Sequence, residues 1–263
     1  MNLHEQLVVA KDAATKAGDI QIQHFGKKHD ITYKGSNDFV TNVDLLCEEA
    51  IIDRIHETNP DHVVLSEEKG KGNGSSRYLW VVDPLDGTVN YEHGFPYFCT
   101  IVSLFDKETE DILVGVVYNP LEDVMYWAIK GEGAYKGDKK VRVSTRKDLA
   151  QSFLTFGSFY VTRGPIESPY KSQNESADFR DAFLRTRVIG SAGLDLAHIA
   201  EGVADVHISF GAKPWDIFGS SLLVTEAGGS VVDEQGGKIT LASKGIIATG
   251  EDLIDDVLSL LKK

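Results

Sequence analysis

The apolar run Leu79, Trp80, Val81, Val82 stops on Asp83-Pro84-Leu85-Asp86-Gly87-Thr88, so two carboxylates stand three apart at the end of what reads as a fully buried strand. Taken alone, the stretch makes a good tight turn, because proline presets φ and an Asp-Gly pair reverses the chain. A buried strand, however, delivers its last side chains to the edge of a core, where two carboxylates are costly unless something pairs with them. The local pattern leaves a plain turn and a site both open.

The chain has 263 residues, 42% hydrophobic and 25% charged, which suits one large domain or two closely packed halves around a sizeable core. The expected halves are 1–145, α+β with an antiparallel sheet and the main candidate site, and 146–263, α/β and supplying Asp216, packed as one unit. Asp and Glu number 40 against 27 Lys and Arg, a formal net charge of −13, which disfavours a nonspecific grip on nucleic acid or anionic lipid. Cys47 and Cys99 lie inside apolar stretches and suit free buried thiols in a reducing compartment. No apolar run approaches the ~20 residues that span a bilayer, and the N-terminus lacks a signal-peptide core, so a cytoplasmic protein is expected.

Leu3, Leu7, Ala10, Ala14 and Ala17 fall at helical spacing and predict one amphipathic helix closing at Gly26. Thr41 and Asp44 have capping-box spacing ahead of a second helix. Short strands follow at 63, 79 and 100, and 112–143 alternates apolar runs with turn clusters as an antiparallel meander does. From 150 the order alternates: a strand near Phe153, a helix at 177–185, a strand at 187–190, a helix from 192, a strand at 204–209, a helix at 216–227, strands at 230 and 245, and a last helix from 251. Two sheets layered between helices fit that order. The stretches 69–76 and 163–176 read as exposed, mobile loops, the first directly after Glu67 and Glu68.

Several signatures are missing from the sequence: it holds no GxxxxGK(S/T), GxGxxG, GxSxG, HExxH or paired CxxC. What remains is a set of carboxylates at the ends of apolar runs: Glu67 and Glu68, Asp83 and Asp86, Asp44 at a helix start, and Asp216 in KPWDIFGSS. Each has an ordinary reading, since Asp44 and Asp216 are good helix caps and the two glutamates suit a solvated loop. The histidines, including His93, His198 and His207, show no ligand spacing, and Trp80, Tyr97, Phe98 and Trp127 suit a core. Together, hard oxygen ligands without histidine or thiolate favour Mg2+, Mn2+ or Ca2+ over zinc, and no EF-hand loop occurs. Divalent ions held there would invert the local field for a phosphate ester that an acidic chain repels. Gly87, without a side chain, would let backbone N–H groups reach phosphate oxygens.

The stretches DPLDGTVN and WDIFGSSLLVTEAGG, with LSEEKG before them and KGSNDFVTNVD and GSAGLDLAHIAEGVADV alongside, resemble the inositol monophosphatase family of Mg2+-dependent, lithium-sensitive phosphomonoesterases over nearly the whole chain. The resemblance implies an α/β (α+β) fold, a layered α/β/α/β/α sandwich, commonly dimeric, acting on a small phosphate monoester. It implies two or three Mg2+ ions, with Mn2+ as a substitute: one on Glu68, Asp83 and the Leu85 carbonyl, a second on Asp83, Asp86 and Asp216, and a looser third by Glu68. Catalysis would fall to Thr88, hydrogen-bonded to Asp44 and aiming a water acidified by the first ion, together with Glu68. Substrate would lie against Asp86, Gly87, Thr88, Gly190, Ser191, Ala192, Ser209 and Asp216. Side chains three apart on a straight strand face opposite ways, so Asp83 and Asp86 can share an ion only if the chain bends between them, and Pro84 supports that bend.

Animal members of the family place a glutamate that contacts inositol hydroxyls seven residues before the second-motif aspartate; this chain has Ser209 there. A short hydroxyl in that place should loosen discrimination among polyols. The expected substrate is inositol monophosphate, with NADP(H) 2′-phosphate and fructose 1,6-bisphosphate as alternatives. A haloacid-dehalogenase-type phosphatase is a rival, but it spaces its aspartates two apart and makes the first a nucleophile. A catalytically silent metal- or phosphate-binding protein would keep the same carboxylates without turnover.

Overall fold

The computed structural model describes residues 1–35, 39–157 and 181–262. Helix α1 (Leu3–His24) buries Leu7, Ala10, Ala14 and Ala17 on one stripe, as their spacing requires. Helix α2 (Asn42–Thr58) starts at the predicted box: the Thr41 hydroxyl accepts the Val43 N–H while the Asp44 carboxylate accepts the Thr41 N–H. Between the helices, β1 (Ile31–Tyr33) and β2 (Phe39–Thr41) form a short antiparallel pair.

The first large sheet is built from β3 (Val63–Ser66), β4 (Gly70–Lys71), β5 (Tyr78–Asp86), β6 (Cys99–Asp106), β7 (Asp111–Asn119), β8 (Val124–Ile129), β9 (Gly133–Lys136) and β10 (Lys139–Lys140). Their spatial order is β10-β9-β8-β7-β6-β5-β3-β4, antiparallel except where β3 lies beside β5. The meander read from the turn clusters is its β7-to-β10 side. The Gly-rich stretch 69–76 is not all loop: Gly70 and Lys71 pair with Ser66 and Leu65, and the Gly72 N–H donates to the Val64 carbonyl, which caps an otherwise open sheet edge.

The second sheet holds β11 (Phe153–Phe156), β12 (Arg185–Arg187), β13 (Val206–Phe210), β14 (Ser230–Val232) and β15 (Gly245–Thr249) in the order β12-β11-β13-β15-β14, parallel among the first three and antiparallel beyond. The strand expected at 187–190 lies earlier, ending at Arg187, and the last helix starts at Ile254 because Asp252 takes a left-handed φ of 64°. The loop at 163–176, and residues 177–180 of the helix expected at 177–185, lie outside the described residues.

Helices α3 (Thr88–Glu92), α4 (Ala192–Ala200), α5 (Pro214–Glu226) and α6 (Ile254–Leu261) and a 3-10 turn at Leu149–Gln151 join the strands. Ala10, Ala14 and Ile51 from α1 and α2 share a core with Trp80, Val82, Val102 and Val116 on one face of the first sheet. Val81, Ile101 and Val117 on its other face share a second core with Leu196, Phe218 and Leu223 of α4 and α5 and with Ile246 and Ala248 of the second sheet. Val257 and Leu261 of α6 close the far face against Leu154, Ile208 and Ile247. The layers therefore run α/β/α/β/α, as expected. Helix α5 lies flush on β7: a Cβ on Gly115 would stand 2.3 Å from the Gly219 carbonyl oxygen, so only glycine allows the approach. Cys47 and Cys99 are free and buried. Among the described residues no helix is long and apolar enough to cross a membrane.

Candidate active site

Strand β5 does not run straight to its end. Asp83 pairs with Ile101 and Asp86 with Cys99, so Pro84 and Leu85 together oppose the single Thr100 and form a bulge. Proline brings no N–H to the ladder, so a bulge is placed here at less cost than elsewhere in a central strand. The backbone groups it frees find other partners: the Leu85 N–H donates to Asp83 Oδ1 at 3.0 Å, and the Leu85 carbonyl accepts from Thr88 Oγ1 at 3.0 Å. The bend makes Asp83 and Asp86 electrostatic neighbours, which a straight strand would prevent.

Asp86 is gripped from the second half of the chain. Its Oδ2 accepts the Ser191 hydroxyl at 2.6 Å and the Gly193 N–H at 2.7 Å, and its Oδ1 accepts the Ala192 N–H at 3.3 Å. Ser191 is the N-cap of α4, so the carboxylate sits at the positive end of that helix. Gly87, at φ 91°, follows in the left-handed region, and a Cβ there would meet the Tyr97 carbonyl oxygen at 3.0 Å. Thr88 then opens α3 with its hydroxyl 3.0 Å from Asp44 Oδ1.

Asp216 lies at the third position of α5, its Oδ2 accepting the Lys213 N–H at 2.7 Å. Asp44 and Asp216 are not the N-caps themselves, which are Thr41 and Lys213, but the third residues of their helices, each accepting the N–H of its cap residue; Asp44 also accepts the Thr88 hydroxyl, and Asp216 acts on Asp83. Burial pushes the Asp216 carboxyl up to about 7, with Asp86 adding to it. Burial likewise holds Asp83 well above the usual carboxylate range, reinforced by Glu67, Asp86 and Asp216, and raises Asp86 and Asp44.

The acidic pair after β3 divides its work. Glu67 is pushed up to about 8, first by burial and then by Asp216, and it acts in turn on Asp83. Glu68 points to Lys34, whose Nζ lies 2.6 Å from its Oε1 and 3.4 Å from Glu67 Oε1. Glu67, which acts on Asp83 and is itself raised by Asp216, is therefore the better candidate for the role that the resemblance gives to Glu68. Behind the pair, fully buried Glu48 accepts the Ser66 hydroxyl, the Glu68 N–H and the Lys69 N–H and so fixes the turn that carries them. Glu48 and Lys34 were not legible as site residues: each is one charge in an unremarkable helix or loop.

The other expected substrate residues are placed as follows. Ser191 and Ala192 hold Asp86, and Gly190, at φ 89°, has its carbonyl 3.3 Å from Asn90 Nδ2. Ser209, on β13, is buried with its hydroxyl against Gly157, where a Cβ would come within 2.3 Å. The structure brings Glu67, Asp83, Asp86 and Asp216 into one electrostatic cluster, with Thr88 and Asp44 on its flank.

Four acidic groups, three of them raised by the others, beside a carbonyl at a bulge, are a donor set suited to a hard divalent cation. Among the described residues no three His, Cys, Asp or Glu side chains already enclose a metal position. Mutual repulsion keeps such carboxylates apart, and Mg2+ completes its shell with waters and carbonyl oxygen, so a closed cage is not what this cation needs. Glu67→Gln should lower kcat at least roughly tenfold more than Glu68→Gln, read in parallel steady-state assays; equal losses would return the ligand role to Glu68.

A carbonyl and carboxylates around a bulge, with a threonine–aspartate pair beside them, are suited to metal-assisted hydrolysis. The chain matches the inositol monophosphatase family over residues 2–262. It is 39% identical over 269 residues, covering 100% of this chain and 97% of the relative, to the fructose-1,6-bisphosphatase/inositol-1-monophosphatase of Aquifex aeolicus. It is 36% identical over 267 residues, 99% of this chain and 97% of the relative, to the Nus factor SuhB of Pasteurella multocida. The crystal structure of the extragenic suppressor protein SuhB from Bartonella henselae superposes with a TM-score of 0.90 at 32% identity, covering 98% of this chain and 99% of that one. The chain belongs to the inositol monophosphatase family, phosphomonoester hydrolases that generally use Mg2+.

Proposed function

We propose that this chain hydrolyses inositol monophosphate and other small phosphate monoesters with relaxed specificity, as a lithium-sensitive homodimer, with Mg2+ held by Glu67, Asp83, Asp86, Asp216 and the Leu85 carbonyl. The observation that carries the reading is the bulge at Pro84-Leu85, which turns two strand-end aspartates into one acidic cluster beside the Thr88–Asp44 hydrogen bond. Mg2+ bound there supplies charge neutralisation for the phosphate and acidifies a coordinated water. The single Thr88 hydroxyl proton has two acceptors at 3.0 Å, Asp44 Oδ1 and the Leu85 carbonyl; with that carbonyl given to the cation, the proton goes to Asp44 and the oxygen lone pairs are free to accept from an attacking water and aim it. The backbone N–H groups of Gly87 and Thr88 are assigned to phosphate oxygens. The short Ser209 side chain against Gly157 leaves the polyol side of the site without a carboxylate from that position, which supports relaxed choice among inositol phosphates, fructose 1,6-bisphosphate and the NADP(H) 2′-phosphate.

Phosphate release from inositol 1-phosphate, fructose 1,6-bisphosphate and NADP+ is the test, each with and without Mg2+. Mg2+-dependent release from inositol 1-phosphate, and from at least one other substrate at a kcat/KM within about tenfold, is expected. No release from any of them would leave the silent binding protein as the reading, and a phosphoenzyme trapped on Asp83 would favour the aspartyl-nucleophile rival.

A further inference from the structure

Gln21 is a fully buried glutamine on α1, 63 residues from the turn that it touches. Its Nε2 donates to the Pro84 carbonyl at 2.8 Å and to Thr100 Oγ1 at 2.9 Å, and the Thr100 hydroxyl donates to the same carbonyl at 3.2 Å. The Gln21 backbone carbonyl accepts the Tyr91 hydroxyl at 2.7 Å, tying α1 to the short helix that Thr88 opens. Its side-chain oxygen has no partner and is buried. Leaving that acceptor empty is an unfavourable way to fill a core position, so the residue is explained by its two N–H donors and not by packing.

Those donors act on one rigid unit. The Pro84 carbonyl and the Leu85 N–H belong to the same planar peptide, so fixing one fixes the other. The carbonyl end is held by Gln21 and Thr100; the N–H end donates to Asp83 Oδ1. The ladder does not hold this peptide, because it lies in the bulge.

We propose that Gln21 is a positioning residue for Asp83: through the Pro84–Leu85 peptide it sets the orientation in which the Asp83 carboxylate is presented to the cation site. The proposal rests on the reading of Asp83 as a cation ligand. Gln21→Met keeps the length and removes both donors. Its binding of Mn2+ alone, followed by electron paramagnetic resonance of the free ion, should weaken roughly tenfold or more, and kcat should fall while KM for inositol 1-phosphate stays near its original value. Ile51→Val, a small loss in the same core, serves as the control: it should cost melting temperature without moving Mn2+ affinity.

Unchanged Mn2+ affinity in folded Gln21→Met overturns the proposal, as does an equal loss of affinity in Ile51→Val. Asp216→Asn separates the two layers of the argument. If it too binds Mn2+ normally, the site reading itself has failed; if it loses Mn2+ while Gln21→Met does not, only the positioning role has. Should Gln21→Met not fold, Thr100→Val removes the second donor to the Pro84 carbonyl, and unchanged affinity there overturns the proposal equally.

Discussion

Asp83→Asn should leave a folded protein with turnover reduced about a thousandfold or more, the rate equivalent of losing several kcal/mol of charge stabilisation in the transition state. The asparagine Oδ1 can still accept the Leu85 N–H, so the bulge keeps its geometry. What disappears is a buried negative charge that faces Glu67, Asp86 and Asp216. For the same reason the metal-free variant should melt higher than the metal-free parent, because one member of a mutually repelling set has been neutralised. Loss of function with gain of apo stability separates a ligand from a structural residue. Near-normal turnover in a well-folded variant would sink the assignment of Asp83.

The metal-free protein should also be markedly less stable at pH 8 than at pH 6, and Mg2+ should remove most of that difference. Glu67 at about 8 and Asp216 at about 7 are both raised by burial and acidic neighbours, and Asp83, Asp86 and Asp44 are raised as well. A carboxyl whose folded pKa exceeds its unfolded value binds more protons in the folded state. Its stability contribution is therefore present below about pH 4 and lost as pH rises through the folded value. His207, pushed down to about 3 by burial, runs the other way, with stability lost as pH falls below about 6.5. Above that pH its contribution is complete and adds no slope, so the acids set the slope without it. Asp195, raised to about 8 by burial and Asp86, hydrogen-bonds to Tyr97, so part of its slope should persist with Mg2+ present. A cation at about a hundred times its Kd adds about 2.7 kcal/mol, or roughly 5–10 °C for a chain of this size. Thermal melts from pH 6 to 8 in EDTA and in Mg2+ measure this, and parallel curves in the two media would contradict the cluster.

The fold was legible where periodicity and punctuation agree. The α1 stripe, the Thr41–Asp44 box and the meander from residue 112 follow from local rules that tertiary contacts did not override. The edge pairing of Gly70 and Lys71 was not, because two residues carry no period and the pairing depends on an exposed sheet edge. In the site, the aspartates stood out because they interrupt apolar runs. The choice between Glu67 and Glu68 did not, since adjacent residues of one type differ only in the direction that the turn after β3 gives them. Gln21 and Glu48 were invisible for a related reason: each is polar within a helix, and its partner lies on a distant strand or turn.

The grip of Ser191 and Gly193 on Asp86 has a consequence for how the protein comes into being. A chain leaving the ribosome exposes the first sheet, with Asp83 and Asp86 at the end of its strand β5, more than a hundred residues before the segment that holds Asp86 exists, and Asp216 is made later still. A nascent chain therefore carries an acidic cluster without its helix cap or its last carboxylate. The full proposed donor set, with Asp216 and the grip on Asp86, is assembled only when both sheets have closed on the helices between them, which would make the onset of turnover a reporter of synthesis and folding together.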